Sequence, residues 1–504
     1  MQIKSSQDEI QSYLSDASNL AGGHASRVLV PETSEEVAEA LAQATRTRTP
    51  LTVAGAGTGI VGGRVPFGGS VLSTHRLNQV HELVRRGRGG FGVAGAGVVL
   101  ADFQSAARAE KLLYAPDPTE RSCFLGGTVA TNASGARTFK YGPTRAYVRA
   151  LKVALATGEL LELRRGDARA DARGRIQVTL PGGRTIDAQV PTYTMPRARK
   201  HASGYFAGPH VDAVDLFVGS EGTLGVVTEA ELALLPQPEG VLCGIVFFKS
   251  EEQLLAAVGE ARELSLRARG AAAEGGESHG LDARALEYFD AESLNFLREH
   301  FALVPLGAAG AVFFEQEITE ESEGDLMAAW LRLLESHGAL LDDSWFGTNE
   351  HDRAEMREFR HRLPVLVNEW LARHGQRKVS TDMAVPDAAF PLMLRFYKET
   401  LRASNLQYVI FGHVGDNHVH VNVMPRDAME AVAARDIYAR FVRRAVELGG
   451  TVSAEHGIGK LKREHLRTLY GEPHLREMAA LKRAFDPACV LGRGNIFPEE
   501  YLKA

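Results

Sequence analysis

LTVAGAGTGIVGG, residues 51–63, runs from a short apolar strand straight into a glycine loop, and the reading of that loop decides the fold. Gly57, Gly59 and Gly62 match GxGxxG formally, but a dinucleotide-binding fingerprint needs a helix starting on the third glycine. Pro66, Gly68 and Gly69 follow within seven residues, and no helix survives them. GxxxxGK[ST] does not occur either. What remains is a plain glycine-rich connection, or a loop whose bare N–H groups form a concavity for an anion such as a pyrophosphate. Upstream, Arg27–Pro31 reads as a strand. Thr33 with Glu36 makes a capping-box signature, and Val37, Ala40, Leu41 and Ala44 recur at helical spacing. Strand, helix, strand is an α/β opening.

Further on, Ala146–Ala156 and Gly225–Leu234 read as strands, separated by a polar surface excursion over Arg164–Lys200. Pro236 to Pro238 marks a boundary, after which strands at Val241–Phe248, Ala311–Gln316 and Gln407–Val414 alternate with helices at Glu251–Arg269, Glu321–His337 and Arg353–His374. The last eighty or so residues are mostly helical and end in a turn at Leu491–Phe497. This predicts an α+β protein in three parts: 1–235, 236–430 and 431–504. With 504 residues the chain exceeds what one core serves.

Composition excludes several classes. A net charge of −6 provides no basic field for nucleic acid. The longest apolar runs are too short to span a bilayer. Three cysteines, Cys123, Cys243 and Cys489, support neither a disulfide framework nor an iron–sulfur cluster. The opening MQIKSSQDEIQSYL is polar and lacks the pattern of a secretory signal. A cytoplasmic setting is expected, with association at the inner membrane left open.

Two more glycine-rich segments accompany the loop: GGTVATNASGARTFKYG over 126–142 and GSEGTLGVVTE over 219–229. In order and spacing, the three resemble the flavin-binding segments of the FAD-linked oxidases of vanillyl-alcohol-oxidase type, with a PCMH-type FAD-binding domain. The resemblance implies two α/β subdomains for FAD, an α+β cap domain with an antiparallel sheet, and a C-terminal helical segment returning to the FAD domain. It places Gly55, Gly57, Thr58, Gly59 and Gly62 near the pyrophosphate. Gly126, Gly127, Asn132, Ser134 and Gly135 would line the other side, with Gly222, Thr223 and Val227 near the adenine half or the flavin. Relatives that bind flavin covalently through the loop carry a histidine there. Here the loop reads Gly62-Gly63-Arg64, which implies non-covalent FAD.

The reactive side chains lie in the second half, in FGHVGDNHVHVN over 411–422 and TVSAEHGIGK over 451–460. Two histidines and a glutamate make a plausible Zn²⁺ or Mn²⁺ set, although histidines beside a strand are commonly just satisfied polar residues. The first segment is similar to the GHxGDGNxHxN signature of the D-2-hydroxyacid dehydrogenases (D-lactate, D-2-hydroxyglutarate and glycolate), and SAEHGIG matches their second signature. The resemblance makes His413, His420 and Glu455 metal ligands, His456 the general base and Asn422 a substrate-contacting amide. One departure stands out: Asn417-His418 replaces the usual Gly-Asn, leaving His418 as an extra imidazole without a role. His418 and His420 alternate, which puts both on one face if the strand continues, so one could substitute for the other as ligand. Arg360 falls where the family supplies a carboxylate-binding arginine, a task suited to a guanidinium fork. Lys378, ahead of STDMAVP at 380–386, is a second cation whose offset varies among relatives. The C-terminal turn reads LGRGNIF where the family has Asn-Pro-Gly-Lys, which puts its flavin contact in doubt.

The expected reaction is oxidation of a D-2-hydroxyacid to the 2-oxoacid. A metal lowers the pKa of the 2-hydroxyl, His456 takes its proton and hydride passes from C2 to flavin N5. Electrons would leave to a quinone, a cytochrome or an electron-transfer flavoprotein, and a homodimer is the assembly to test. The competitors are an alkylglycerone-phosphate-synthase-like flavoenzyme, disfavoured by the intact histidine signature, and a lactone- or sugar-oxidising flavoenzyme, disfavoured by the non-histidyl loop. A flavin subunit of a larger complex is the third.

Overall fold

Strand Leu51–Ala54 forms an edge of a four-stranded sheet in the order Gln2–Lys4, Arg27–Val30, Ser70–Ser73, Leu51–Ala54, whose last three strands pair in parallel. The structure is a computed structural model and describes residues 1–273 and 280–503. Helix Ser34–Thr47 starts as expected, with Thr33 Oγ1 accepting the Glu36 N–H at 3.2 Å. The Glu36 carboxylate reaches back one residue further than a capping box requires, to the Glu32 N–H at 2.8 Å.

A six-stranded antiparallel sheet follows, in which Val226–Pro236 pairs with Gly89–Gly95 on one side and Val148–Ala154 on the other. Of these two sheets, only the first contains parallel pairs. The stretch expected as a surface excursion instead carries a hairpin, Arg175–Thr179 with Thr185–Gln189. Its end is not surface at all, because Lys200 is fully buried.

The second half is a seven-stranded antiparallel sheet in the order Trp345–Gly347, Gly240–Phe248, Gly310–Ile318, Ala283–Asp290, Gln407–Gly412, His420–Met424, Val379–Ser380. Both of its faces are covered. Along Gly240–Phe248, Leu242, Val246 and Phe248 pack into one core with helices Glu251–Ala273 and Glu323–Ser336. The alternate Cys243, Ile245 and Phe247 pack into a second core with Leu294, Met356, Phe359 and Leu363 of helices Ala291–Arg298 and Glu350–Arg373. Period-two alternation between two apolar layers explains why this strand reads as an unbroken apolar run.

Helix Ala428–Glu447 runs through the expected join at 430–431. The last helical stretch, Arg463–Phe485, breaks at Gly471, whose φ is 76° and which Pro473 follows. It returns the chain to the glycine loop. Leu51 N–H donates to Val490 O at 2.8 Å, Gly492 N–H donates to Leu51 O at 3.0 Å, and Lys482 Nζ donates to Thr223 O at 2.8 Å.

Candidate functional site

The glycine loop is held by its carbonyls. Gly55 O accepts Arg64 Nη1 at 2.7 Å, Gly57 O accepts the Ala17 N–H at 3.0 Å, and Val61 O accepts the Lys460 N–H at 2.9 Å. Among the described residues, no backbone N–H from Ala56 to Gly63 donates to another protein group. Tethered carbonyls with undonated N–H groups form the arrangement that receives an anionic oxygen, so the loop fits a pyrophosphate. Gly57 has φ of 86°, and a Cβ there would lie 2.6 Å from Arg64 Nη1; nothing lies within 4 Å of a Cβ built on Gly59. Gly59 therefore faces open space, whereas Gly62 backs onto Leu20.

In the second segment, Gly127 is likewise open, while Gly126 packs on Ala96 and Gly135 on the Asp117 carbonyl. Asn132 uses its side chain internally, accepting the Arg145 N–H at 2.9 Å and donating to His201 O at 3.3 Å. Thr223 does the same with Tyr205 and Ser220, and Val227 packs in the core, so neither offers a free side-chain polar atom. Gly222 has φ of 70°, which suits a glycine, and Glu221 beside it ties two parts of the chain together. Its carboxylate accepts the Ile458 and Gly459 N–H groups, each at 2.7 Å. The C-terminal turn, doubtful from its sequence, lies on the loop: Asn495 Nδ2 donates to Gly63 O at 2.9 Å and Lys460 Nζ to Asn495 Oδ1 at 2.7 Å.

The histidines and Glu455 are brought together. His413 follows strand Gln407–Gly412 and His420 begins the antiparallel strand His420–Met424, so a single tight turn with Asn417 at φ 53° presents both. Glu455 Oε1 lies 3.3 Å from His413 Nε2, 3.3 Å from His420 Nε2 and 3.7 Å from His456 Nε2. Its other oxygen takes Lys200 Nζ at 3.1 Å and Ser134 Oγ at 3.3 Å. Ser134, expected along the flavin, thus touches the histidine cluster. Burial would raise the Glu455 carboxyl, but Lys200 and His413 beside it hold it well below the usual carboxylate range. Asn422 is buried on the same strand as His420, paired with Ser380. One ligand atom from each of His413, His418, His420 and Glu455 lies within 4.8 Å of the others, and Asp382, His420, Glu455 and His456 form a second such group. Convergent imidazole and carboxylate groups of this kind fit a divalent ion.

The two expected substrate cations are placed differently. Arg360 Nε is paired with buried Glu287 at 2.9 Å, and the other Glu287 oxygen lies 2.5 Å from His413 Nδ1. Burial would raise the Glu287 carboxyl; His413 and Arg360 bring it down to about 2. Lys378 is exposed ahead of strand Val379–Ser380 and makes no ion pair among the described residues.

Sequence reasoning missed four residues around the cluster. Asp382, wholly buried, accepts the His456 N–H at 3.1 Å, Ser453 Oγ at 2.6 Å and Lys462 Nζ at 2.5 Å, and faces His456 Nδ1 at 3.2 Å. Glu287, Lys200 and Lys462 are the others. Asp382 lies within STDMAVP, but the remaining three carry no local signal. His418 is wholly buried, and burial together with His420 pushes it down to about 3, keeping the ring neutral. Neither of its ring nitrogens has a hydrogen-bond partner: Nε2 is 3.1 Å from Asp382 Oδ1 but not aligned with it. An unmet buried polar group of this kind costs about 1–3 kcal/mol.

Comparison with known proteins agrees in outline. The family model for FAD linked oxidases, C-terminal domain, matches residues 264–496, and an FAD binding domain model matches 25–164. A D-lactate dehydrogenase of Anaerostipes hadrus is 30% identical, over 97% of this chain and 93% of the relative. A D-2-hydroxyglutarate dehydrogenase of Xanthomonas citri pv. viticola is 30% identical over 93% and 89%, and glycolate oxidase subunit GlcD of Bacillus subtilis is 27% identical over 94% and 90%. A solved alkyldihydroxyacetonephosphate synthase superposes with a TM-score of 0.66 at 14% identity, covering 97% of this chain and 83% of the other. At that identity the likeness speaks for the fold alone. Among the described residues no helix is long and apolar enough to cross a membrane.

Proposed function

The chain belongs to the FAD-linked oxidases, and from that premise we propose that it is a dehydrogenase oxidising a D-2-hydroxyacid of the lactate, 2-hydroxyglutarate or glycolate class to its 2-oxoacid. One observation carries the reading: three imidazole Nε2 atoms converge on a single oxygen of Glu455. FAD, held without a covalent link, supplies the acceptor for the hydride from C2. His413, His420 and Glu455 would hold a Zn²⁺ or Mn²⁺ ion, which would supply a Lewis acid for the 2-hydroxyl.

The protein's own groups do the rest. His456 points Nδ1 at Asp382, and that carboxylate keeps the ring proton on Nδ1, leaving the Nε2 lone pair to take the hydroxyl proton. Lys200 and Ser134 occupy Glu455 Oε2 and so aim Oε1 at the imidazoles. Glu287 orients His413 through Nδ1, with Arg360 as its counter-ion. Asn422, two residues beyond His420, is the amide for the substrate. The acceptor for the electrons would be a quinone, a cytochrome or an electron-transfer flavoprotein.

The experiment is anaerobic titration of the purified chain with D-lactate, D-2-hydroxyglutarate and glycolate, followed by flavin absorbance. Bleaching by D-lactate or D-2-hydroxyglutarate and not by its L-isomer, or by the achiral glycolate, is expected; no bleaching by any of them sinks the reading. The Bacillus relative is named as a subunit, which motivates a second reading in which turnover needs a partner chain. In that case flavin bleaches only when the partner is present.

A further inference from the structure

His418 is the one imidazole of the cluster left over by the proposed chemistry. It stands where the family signature has asparagine, so the resemblance assigns it nothing. Its backbone is fixed, in a bridge with Ala384 and with its N–H on His413 O at 3.1 Å. Its ring sits 4.5 Å from the His420 ring and 5.4 Å from the His413 ring, centre to centre. It is wholly buried with neither nitrogen bonded, a condition folded proteins seldom leave without a reason. Among the described residues, no other imidazole is buried with both ring nitrogens unbonded.

We propose that His418 is a direct ligand of the metal, completing with His413, His420 and Glu455 a set of three nitrogens and one oxygen. The inference rests on the metal reading proposed above and goes beyond it in ligand number and ion preference. Asp382 Oδ1, 3.1 Å from His418 Nε2, is the carboxylate that would orient this ring, as Glu287 orients His413. In that set Nε2–H would donate to Asp382, leaving Nδ1 as the ligand atom. Three neutral imidazoles favour a borderline ion such as Zn²⁺ over the harder, oxygen-seeking Mn²⁺.

The test uses full-length FAD-loaded protein with Zn²⁺ alone and Mn²⁺ alone, by chelator competition, in wild type, His418→Asn, His418→Gln and His420→Ala. Changing a residue that merely orients a ligand weakens metal binding by about 10–100-fold, so losing a ligand in His418→Asn should weaken Zn²⁺ by at least about 10-fold. Mn²⁺ should change much less, and FAD content and melting temperature should stay put. Zinc-edge X-ray absorption should count three imidazoles in wild type and two in His418→Asn. If His420→Ala loses Zn²⁺ while His418→Asn holds it as tightly as wild type, His418 is no ligand and the proposed function stands. If His420→Ala also keeps Zn²⁺, the metal reading and this inference fall together. Should both His418 variants fail to fold, two imidazoles counted in wild type overturn the inference.

Discussion

Asp382 holds His456 at two points: its Oδ2 accepts the His456 backbone N–H at 3.1 Å and lies 3.2 Å from the ring Nδ1. Burial would raise the Asp382 carboxyl, but His456 and Lys462 beside it hold it well below the usual range, so the group is a carboxylate. A carboxylate at Nδ1 fixes both the orientation of the ring and which nitrogen carries the proton.

Asp382→Asn should therefore resemble His456→Asn. An amide can donate to Nδ1 and shift the ring proton to Nε2. Flavin reduction, followed anaerobically by stopped flow, should slow by roughly 10²–10⁴-fold in either variant, the usual worth of a positioned acid–base group. Metal and FAD contents are measured on the same samples. A metal-replete His456→Asn that reduces flavin at near wild-type rate would move the proton acceptor elsewhere.

His420→Ala should lose its metal and keep its flavin, because the glycine loop and the histidine turn belong to different sheets. Metal analysis and the flavin spectrum of one preparation decide the matter. Stoichiometric metal in this variant would contradict the ligand assignment.

Arg360 is expected to act on stability before it acts on substrate. Stranding a buried charge costs about 3–5 kcal/mol, and Glu287 keeps His413 when Arg360 is removed, so about 3 kcal/mol is the upper end expected. Arg360→Met should shift denaturant unfolding by up to that amount, and Glu287→Met/Arg360→Met should lose less than the two single changes combined. Additive losses would mean that the 2.9 Å pair contributes no coupling.

His201 sets an acid limit. Burial, and then the Arg145 charge, pushes its imidazole from 6.5 down to about 3, where its Nδ1 faces Thr451 and its Nε2 faces Tyr470. The unfolded chain binds that proton more readily than the folded one. Its contribution is thus intact above pH 6.5 and shrinks as pH falls from 6.5 toward 3. At pH 5 the loss should be about 1–2 kcal/mol, and His201→Gln should remove it from the pH dependence of unfolding. An unchanged pH profile in the variant would exclude His201 as its source.

FAD should leave with acid. Precipitated protein is expected to release yellow flavin to the supernatant, since the loop Gly55–Gly63 carries no histidine to bond it covalently. Colour retained in the pellet would indicate a covalent bond.

What the sequence determined by itself was whatever local rules encode. The glycine loop could not start a helix, because Pro66 and two glycines follow it. Strand Gly240–Phe248 was legible because an unbroken apolar run between turn residues needs no partner to be recognised. Ala283–Asp290 was not legible. Arg284, Glu287 and Asp290 interrupt its apolar pattern, yet all three are buried, because Glu315, Arg360 with His413, and the N-terminus of helix Ala291–Arg298 lie beside them. Only the folded chain supplies those partners, and without them the desolvation of each charge would forbid the strand. Lys200 was hidden for the same reason, in a stretch that reads as surface until Glu455 and Asp416 arrive from more than two hundred residues away. The identity of the reactive groups was thus written locally. Their protonation, their aim and the second role of Arg360 were decided by charges that tertiary structure alone brings within reach.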